Sequence, residues 1–147
     1  MTASYVAEYP RSYSYIDVRG KVVVDVGADI GTSPLWFLSQ GAAKVIAFSL
    51  EKQDPRFADP RVEWRGRWNG ERVEGDVFKI DCEGCECMIS EGFLESYEAA
   101  YVAFHEWSPC RWLEEFLKSK GRLVFTTPDG KERMYVLERG RGVLHKS

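Results

Sequence analysis

The stretch Val22-Val23-Val24-Asp25-Val26-Gly27-Ala28-Asp29-Ile30-Gly31-Thr32-Ser33-Pro34 decides the fold. Four valines flank Asp25, a composition that suits a strand covered on both faces. Gly27 and Gly31 permit backbone angles and close approaches that a Cβ would forbid. Ser33 reads as a helix N-cap and Pro34 as the first helical residue. Strand, tight turn and helix in that order aim backbone N–H groups and the positive end of a helix at one point. A nucleotide-like ligand belongs at that point.

The spacing chooses among such ligands. A dinucleotide site needs G-x-G-x-x-G after the strand. Here the glycines are spaced G-x-x-x-G, with an acid two residues before the first. Asp25 and Asp29 would repel a pyrophosphate. They would accept a cation that carries no phosphate, and S-adenosylmethionine, with its sulfonium, ammonium and ribose, fits that description. An acid at the end of a buried strand costs stability unless it is used or paired.

Working outward, the 147 residues suffice for one domain, 1–147, with a single core. No window approaches the roughly 20 apolar residues of a membrane span, so no membrane partner is expected. The start from Met1 to Arg11 has no apolar signal core, which argues against export. A net charge of -3 argues against a chain coated by nucleic acid. Three of the four cysteines, Cys82, Cys85 and Cys87, crowd together, with Cys110 apart. A secreted disulfide scaffold would spread them, so reduced thiols and a cytoplasmic location are expected.

Strands and helices alternate along the chain, which implies a mostly parallel sheet. Residues 1–20, with Tyr5, Tyr9, Tyr13 and Tyr15, read as an N-terminal arm or short helix. Strands are expected at 21–26, 44–49, 61–67, 77–81 and 101–105. Helices are expected at 34–40, at 84–96 (from the spacing of Cys85, Met88, Ile89 and Phe93) and between Ser108-Pro109 and Gly121. Segments 122–126 and 133–137, joined by Pro128-Asp129-Gly130, make an antiparallel hairpin. The tail 138–147 is polar.

The ends of the first, second, fourth and fifth strands carry Asp25, Ser49, Asp81 and His105. Right-handed crossovers bring these to one sheet edge, where open α/β sheets bind ligands.

Two motifs now support a resemblance. The turn D-V-G-A-D-I-G from Asp25 to Gly31 resembles the first motif of class I methyltransferases, and seven strands with a closing antiparallel hairpin match that Rossmann-like fold. Phe78-Lys79-Ile80-Asp81-Cys82-Glu83-Gly84-Cys85-Glu86 resembles the K-I-D-V-E-G-x-E signature of FkbM-type methyltransferases. That family acts mainly as O-methyltransferases on sugars and other hydroxylated compounds. The resemblance implies S-adenosyl-L-methionine as cofactor. It places Asp25, Gly27, Ala28, Gly31 and Ser33 in the cofactor turn, with Asp29 beside them, and Asp81 and Glu83 facing cofactor or acceptor. Where the family has a ribose-binding Glu this chain has Ser49, and Glu51 would have to curl back to replace it. Losing one charge-assisted hydrogen bond there is worth roughly 1–3 kcal/mol.

Methyl transfer to a hydroxyl needs alignment and removal of a proton. His105 is the expected base, with Asp81 and Glu106 as alternatives. Glu83 and Glu86 form a candidate acceptor-binding pair, with helix capping as the plainer role. The C-x-x-C-x-C cluster raises zinc, but buried cysteines pack like small apolar residues and no metal is expected. Trp64 reads as core and Trp68 as surface or site. Arg56, Arg61, Arg65, Arg67 and Arg72 would suit an anionic acceptor such as RNA, or form a solvated face balanced by nearby acids. Three readings follow: methyl transfer to a hydroxylated small molecule or sugar, methyl transfer to RNA, or a non-catalytic binding or dimerisation module. A homodimer could complete the acceptor pocket.

Overall fold

The valine run around Asp25 forms β1 (Val22–Val26), which is hydrogen-bonded on both sides, to β2 (Lys44–Phe48) and β4 (Val77–Ile80). In the computed structural model, which describes residues 3–139 and side chains from residue 8 onward, the sheet has the order β3-β2-β1-β4-β5-β7-β6. The remaining strands are β3 (Val62–Arg65), β5 (Ala99–His105), β6 (Arg122–Thr126) and β7 (Glu132–Glu138). Only β7 runs against the rest, pairing antiparallel with both β5 and β6. Every residue of β5 is buried, as a central strand covered on two faces requires.

Alternation along the strands separates two apolar layers. Val24, Val26, Phe78, Ile80, Val102 and Phe104 pack on Leu113, Phe116 and Leu117 of α4 (Arg111–Lys120). Val23, Val45, Val77, Tyr101 and Val136 pack on Tyr9 of α1 (Ala3–Ser12), on Tyr13 just beyond it, and on Phe37 and Leu38 of α2 (Thr32–Ser39). A large apolar side chain fully withdrawn from water contributes roughly 1.5–3 kcal/mol, so each layer outweighs any single polar contact. Among the described residues, no helix is long and apolar enough to cross a membrane.

Several expectations need correction. The helix α2 begins at Thr32 with Gly31 in the cap position and no side-chain cap; Ser33 turns inward and donates to Asp25 Oδ2 at 2.6 Å. The single helix expected over 84–96 is broken. A 3-10 turn spans Cys85–Met88 and a separate α3 spans Glu91–Glu95, capped by Ser90, which accepts from the Phe93 N–H at 3.1 Å. Ser90 competes for the backbone as cap residues do, and Met88 is left about half exposed. Trp68 is buried against Phe78 and Phe93, with its indole N–H on Glu71 O. Residues 1–20 do hold a helix, but the Tyr5 side chain and residues 140–147 lie outside the described residues. All four cysteines are paired, Cys82 with Cys85 and Cys87 with Cys110, so they give no support to a reduced setting.

Two buried polar contacts tie the layers together. Asp25 and Lys79 sit side by side in register on β1 and β4, 0% and 2% exposed, with Nζ 2.9 Å from Oδ1. Oδ1 lacks hydrogen-bond geometry, so that contact is an ion pair governed by charge. On the far layer, Arg133 of β7 forks onto Glu114 of α4, and Tyr135 donates to the same carboxylate at 3.0 Å. Burial alone would raise Glu114, but Arg133 and Tyr135 outweigh it and hold the carboxyl below its usual value.

Lys79→Met strands Asp25 in the core and should cost about 3–5 kcal/mol in chemical denaturation, while the double variant Asp25→Leu/Lys79→Met should recover most of that loss. Glu114 supplies stability that is complete above its unfolded value of about 4.3 and is lost as pH falls through the depressed folded one. Thermal melts should therefore show a steeper acid decline between about pH 5 and 3 in the parent than in Glu114→Gln.

Candidate active site

The C-terminal edge of the parallel strands opens into a cleft of about 820 Å³, within the roughly 300–1,000 Å³ typical of small-molecule sites. Gly27 after β1, Ser49 after β2, Asp81 after β4 and His105 at the end of β5 all line it. Because β7 runs the other way, its first residue, Glu132, arrives at the same edge opposite His105. Tyr9 and Tyr13 close one wall from the N-terminal segment.

The glycine turn is built inward. Gly27 has φ +92°, and a Cβ there would lie 2.0 Å from Asp81 O, so the turn rests directly on the end of β4. The N–H groups of Gly27 and Ala28 both donate to Phe48 O at 3.0 Å, and Gly31 N–H donates to Ala28 O. These donors, expected to face a ligand, are occupied within the fold; Ala28 and Gly31 do not line the cleft. Asp29 reaches the lip in a left-handed conformation, φ 58°, at a cost of order 1 kcal/mol for a residue with a Cβ. Ser49 Oγ donates to Asp29 O at 2.6 Å and accepts from Glu51 N–H at 2.9 Å. Its hydroxyl is thus committed to pinning the turn, and Glu51 is the exposed carboxylate beside it. Asp25 is not at the surface of the cleft. It acts through Lys79, which also donates to Gly27 O at 3.0 Å. Burial alone would lower Lys79, but Asp25 and Asp81 outweigh it and hold the ammonium charged.

The floor is a carboxylate corner around one imidazole. His105 Nδ1 lies 3.2 Å from Glu86 Oε2; Nε2 lies 3.1 Å from Glu132 Oε1 and 4.0 Å from Asp81 Oδ1. Burial would lower His105, but Glu132, Glu86 and Asp81 together push it up to about 10. With both ring nitrogens engaged by carboxylates, His105 offers no free nitrogen to an acceptor proton, contrary to the base role expected of it. Burial raises Asp81, a shift that Lys79 partly opposes. Tyr13 OH donates to Asp81 Oδ2 at 3.0 Å, and burial followed by the Asp81 charge pushes that phenol well up.

The other expected acids separate. Glu83 is exposed on the cleft rim. Glu86 is 0% exposed and accepts from Gly84 N–H at 3.0 Å; it lies beneath the site and cannot touch an acceptor. Glu106 turns away to Arg133 at 2.5 Å, so it is not a base for this cleft. The arginines are mostly paired: Arg56 with Asp54, Arg61 with Asp59, Arg65 with Glu63, Arg72 with Glu74. Arg67 alone of the five lines the cleft. Lys79, Glu132, Tyr9 and Tyr13 were not singled out as site residues from sequence. Lys79 had a readable signal, being a base inside an apolar strand that matches an acid inside another. Glu132 had none, since its place depends on the antiparallel return of β7.

No family model matches the chain. Uncharacterized protein 65 of Sulfolobus islandicus filamentous virus (isolate Iceland/Hveragerdi) is 36% identical over 138 residues, 87% of each chain. Uncharacterized protein 158B of Sulfolobus islandicus rod-shaped virus 1 is 32% identical over 144 residues, 89% of this chain and 90% of its own. Among solved structures, a Plasmodium falciparum protein assigned as a ribosomal RNA methyltransferase superposes with TM-score 0.63 at 18% identity, covering 92% of this chain and 94% of its own. Burkholderia thailandensis 1,6-didemethyltoxoflavin-N1-methyltransferase, solved with 1,6-didemethyltoxoflavin and S-adenosylhomocysteine, superposes with TM-score 0.52 at 16% identity over 82% of this chain and 71% of its own. The likeness is one of fold: a Rossmann-like class I methyltransferase sheet closed by an antiparallel hairpin.

Gly27→Ala should lower stability by more than the about 1 kcal/mol of a left-handed Cβ alone, because the methyl group meets β4 backbone. Chemical denaturation measures this, and a loss below that figure would mean the two strand ends are not in contact.

Proposed function

The chain belongs to the family of protein 65 and protein 158B from these Sulfolobus viruses, and for it we propose S-adenosylmethionine-dependent methyl transfer to an oxygen of a hydroxylated small molecule or sugar. The observation that carries this reading is the charge of the cleft. Asp29, Glu51, Asp81, Glu83 and Glu132 line it, against Arg67, a His105 held between Glu86 and Glu132, and a Lys79 already engaged by Asp25. Such a lining favours a cationic ligand and disfavours a phosphate. The backbone N–H groups that could have held a phosphate are spent on Phe48 O. The donor set therefore fits S-adenosylmethionine, which supplies an electrophilic methyl when bound.

In this reading Glu51 takes the ribose hydroxyls, the task Ser49 is not free to perform. Phe48, Leu50 and Trp68 offer an apolar wall to the adenine. Asp29 and Asp81 face the cationic end. Asp81 and Glu132, whose side chains are 31% and 32% exposed, orient the acceptor hydroxyl and draw off its proton, while Glu86 and His105 hold that corner in place. The K-I-D…E-G sequence from Lys79 to Gly84 supports an FkbM-type affiliation, with Lys79 serving to fix the turn. A small hydroxylated acceptor is favoured over RNA because four of the five arginines in the 56–72 segment are paired with acids.

Titration calorimetry with S-adenosylmethionine should show one site per chain, and Glu51→Ala should weaken it about ten- to a hundredfold, the loss of a hydrogen bond to a charged group. Absence of heat at millimolar cofactor would leave a non-catalytic module. Transfer of labelled methyl to polyhydroxylated acceptors tests the acceptor class, and label entering RNA instead would replace it.

A further inference from the structure

We propose that Asp81, His105 and Glu132 form a divalent-cation site on the floor of the cleft. One donor atom from each of the three lies within 4.8 Å of the other two, and His105 Nε2 is 3.1 Å from Glu132 and 4.0 Å from Asp81. Ligands about 2.1 Å from a common centre stand roughly 3.0–3.5 Å apart. The His105–Glu132 pair already has that spacing, and Asp81 would have to close on His105 Nε2 from 4.0 Å.

A second observation points the same way. Glu86 is wholly buried, with Oε1 fixed by Gly84 N–H and Oε2 against His105 Nδ1. A carboxylate behind a histidine fixes the ring and its tautomer, and the cation would take the place of the Nε2 proton now facing Glu132, which leaves to solvent. Trp107 stacks on the same ring at 5.3 Å and 29°, limiting its rotation. One oxygen of Glu86 holds the turn at Gly84, and the other is left to orient the His105 ring.

Charge and access agree. Three carboxylates surround one imidazole, and Lys79, which also faces Asp81, is paired with Asp25. Asp81 and Glu132 keep about a third of their side chains exposed toward the cleft, which leaves coordination positions open to a ligand, as in catalytic and not structural centres. Two oxygens and one imidazole nitrogen suit Mn²⁺, Fe²⁺ or Zn²⁺ better than Mg²⁺ or Ca²⁺. The cysteines play no part, since all four are bonded to one another. The site stands without the methyl-transfer reading; its role rests on that reading, because the cation would let Asp81 and Glu132 act on an acceptor oxygen from a fixed point.

Mn²⁺ alone, titrated into the full chain without S-adenosylmethionine and followed by electron paramagnetic resonance, should bind one per chain. Spin-echo modulation should show one directly bound nitrogen. Glu132→Gln should weaken binding at least tenfold, and Glu86→Gln about ten- to a hundredfold, with circular dichroism unchanged. Glu83→Gln, which removes a rim carboxylate outside the trio, should leave the affinity within twofold. No stoichiometric binding, no nitrogen modulation in the parent protein, or equal weakening by Glu83→Gln would overturn the site. Mn²⁺ binding without cofactor heat would sink the methyl-transfer reading alone; the reverse result would sink only the metal site.

Discussion

A lysine and an aspartate buried between two strands govern how this domain is put together. Asp25 and Lys79 occupy matched positions on β1 and β4, where neither could persist alone: an isolated charge in such a place costs several kcal/mol. Their pairing fixes the register of the two central strands, because a slip of one residue would turn one of the two charges to the opposite layer and part it from the other. Ser33 adds a hydrogen bond to the same carboxylate from α2, and Lys79 adds one to Gly27 O in the turn. One buried contact thereby positions a strand pair, a helix start and the glycine turn. Asp25 is a structural keystone here and does not itself line the cleft.

Much of the fold was legible in the chain. Valine-rich strands, the glycine turn, the Pro128-Asp129-Gly130 hairpin and the amphipathic α4 follow from local pattern, and local pattern is strong where a segment is buried on two faces or one. The helix expected over 84–96 failed for a local reason: Ser90 caps a new helix where the apolar spacing suggested continuity. Trp68 lines the cleft but is buried and not on the surface, because Phe78 and Phe93 from other elements pack on it. The places of Asp81 and Ser49 at the cleft could be anticipated from strand ends, and that of Glu51 from the loop after Ser49. Their partners could not. That Ser49 is consumed by Asp29 O, that Glu86 sits beneath His105 and that Glu132 completes the corner are facts of three-dimensional assembly.

The electrostatics of the cleft follow from which charges have been neutralised elsewhere. Four of five nearby arginines are held by acids two residues away, an arrangement typical of exposed side chains and weak in energy. The acids facing the cleft lack such local partners, apart from those that meet at His105. A net charge of only -3 over the whole chain therefore conceals a concentrated negative surface in one place. In the low-dielectric cleft this unevenness matters more for recognition than the overall balance.

The walls of the cleft come from opposite ends of the described chain: Tyr9 and Tyr13 near its beginning, Glu132 near its end. Neither segment can form its part unaided, so the depression exists only once both have packed onto the sheet. A molecule captured there grips both extremities at once. Its binding free energy is then spread over the entire unfolding transition, and occupancy would hold the segment of Tyr9 and Tyr13 as firmly as it holds the start of β7.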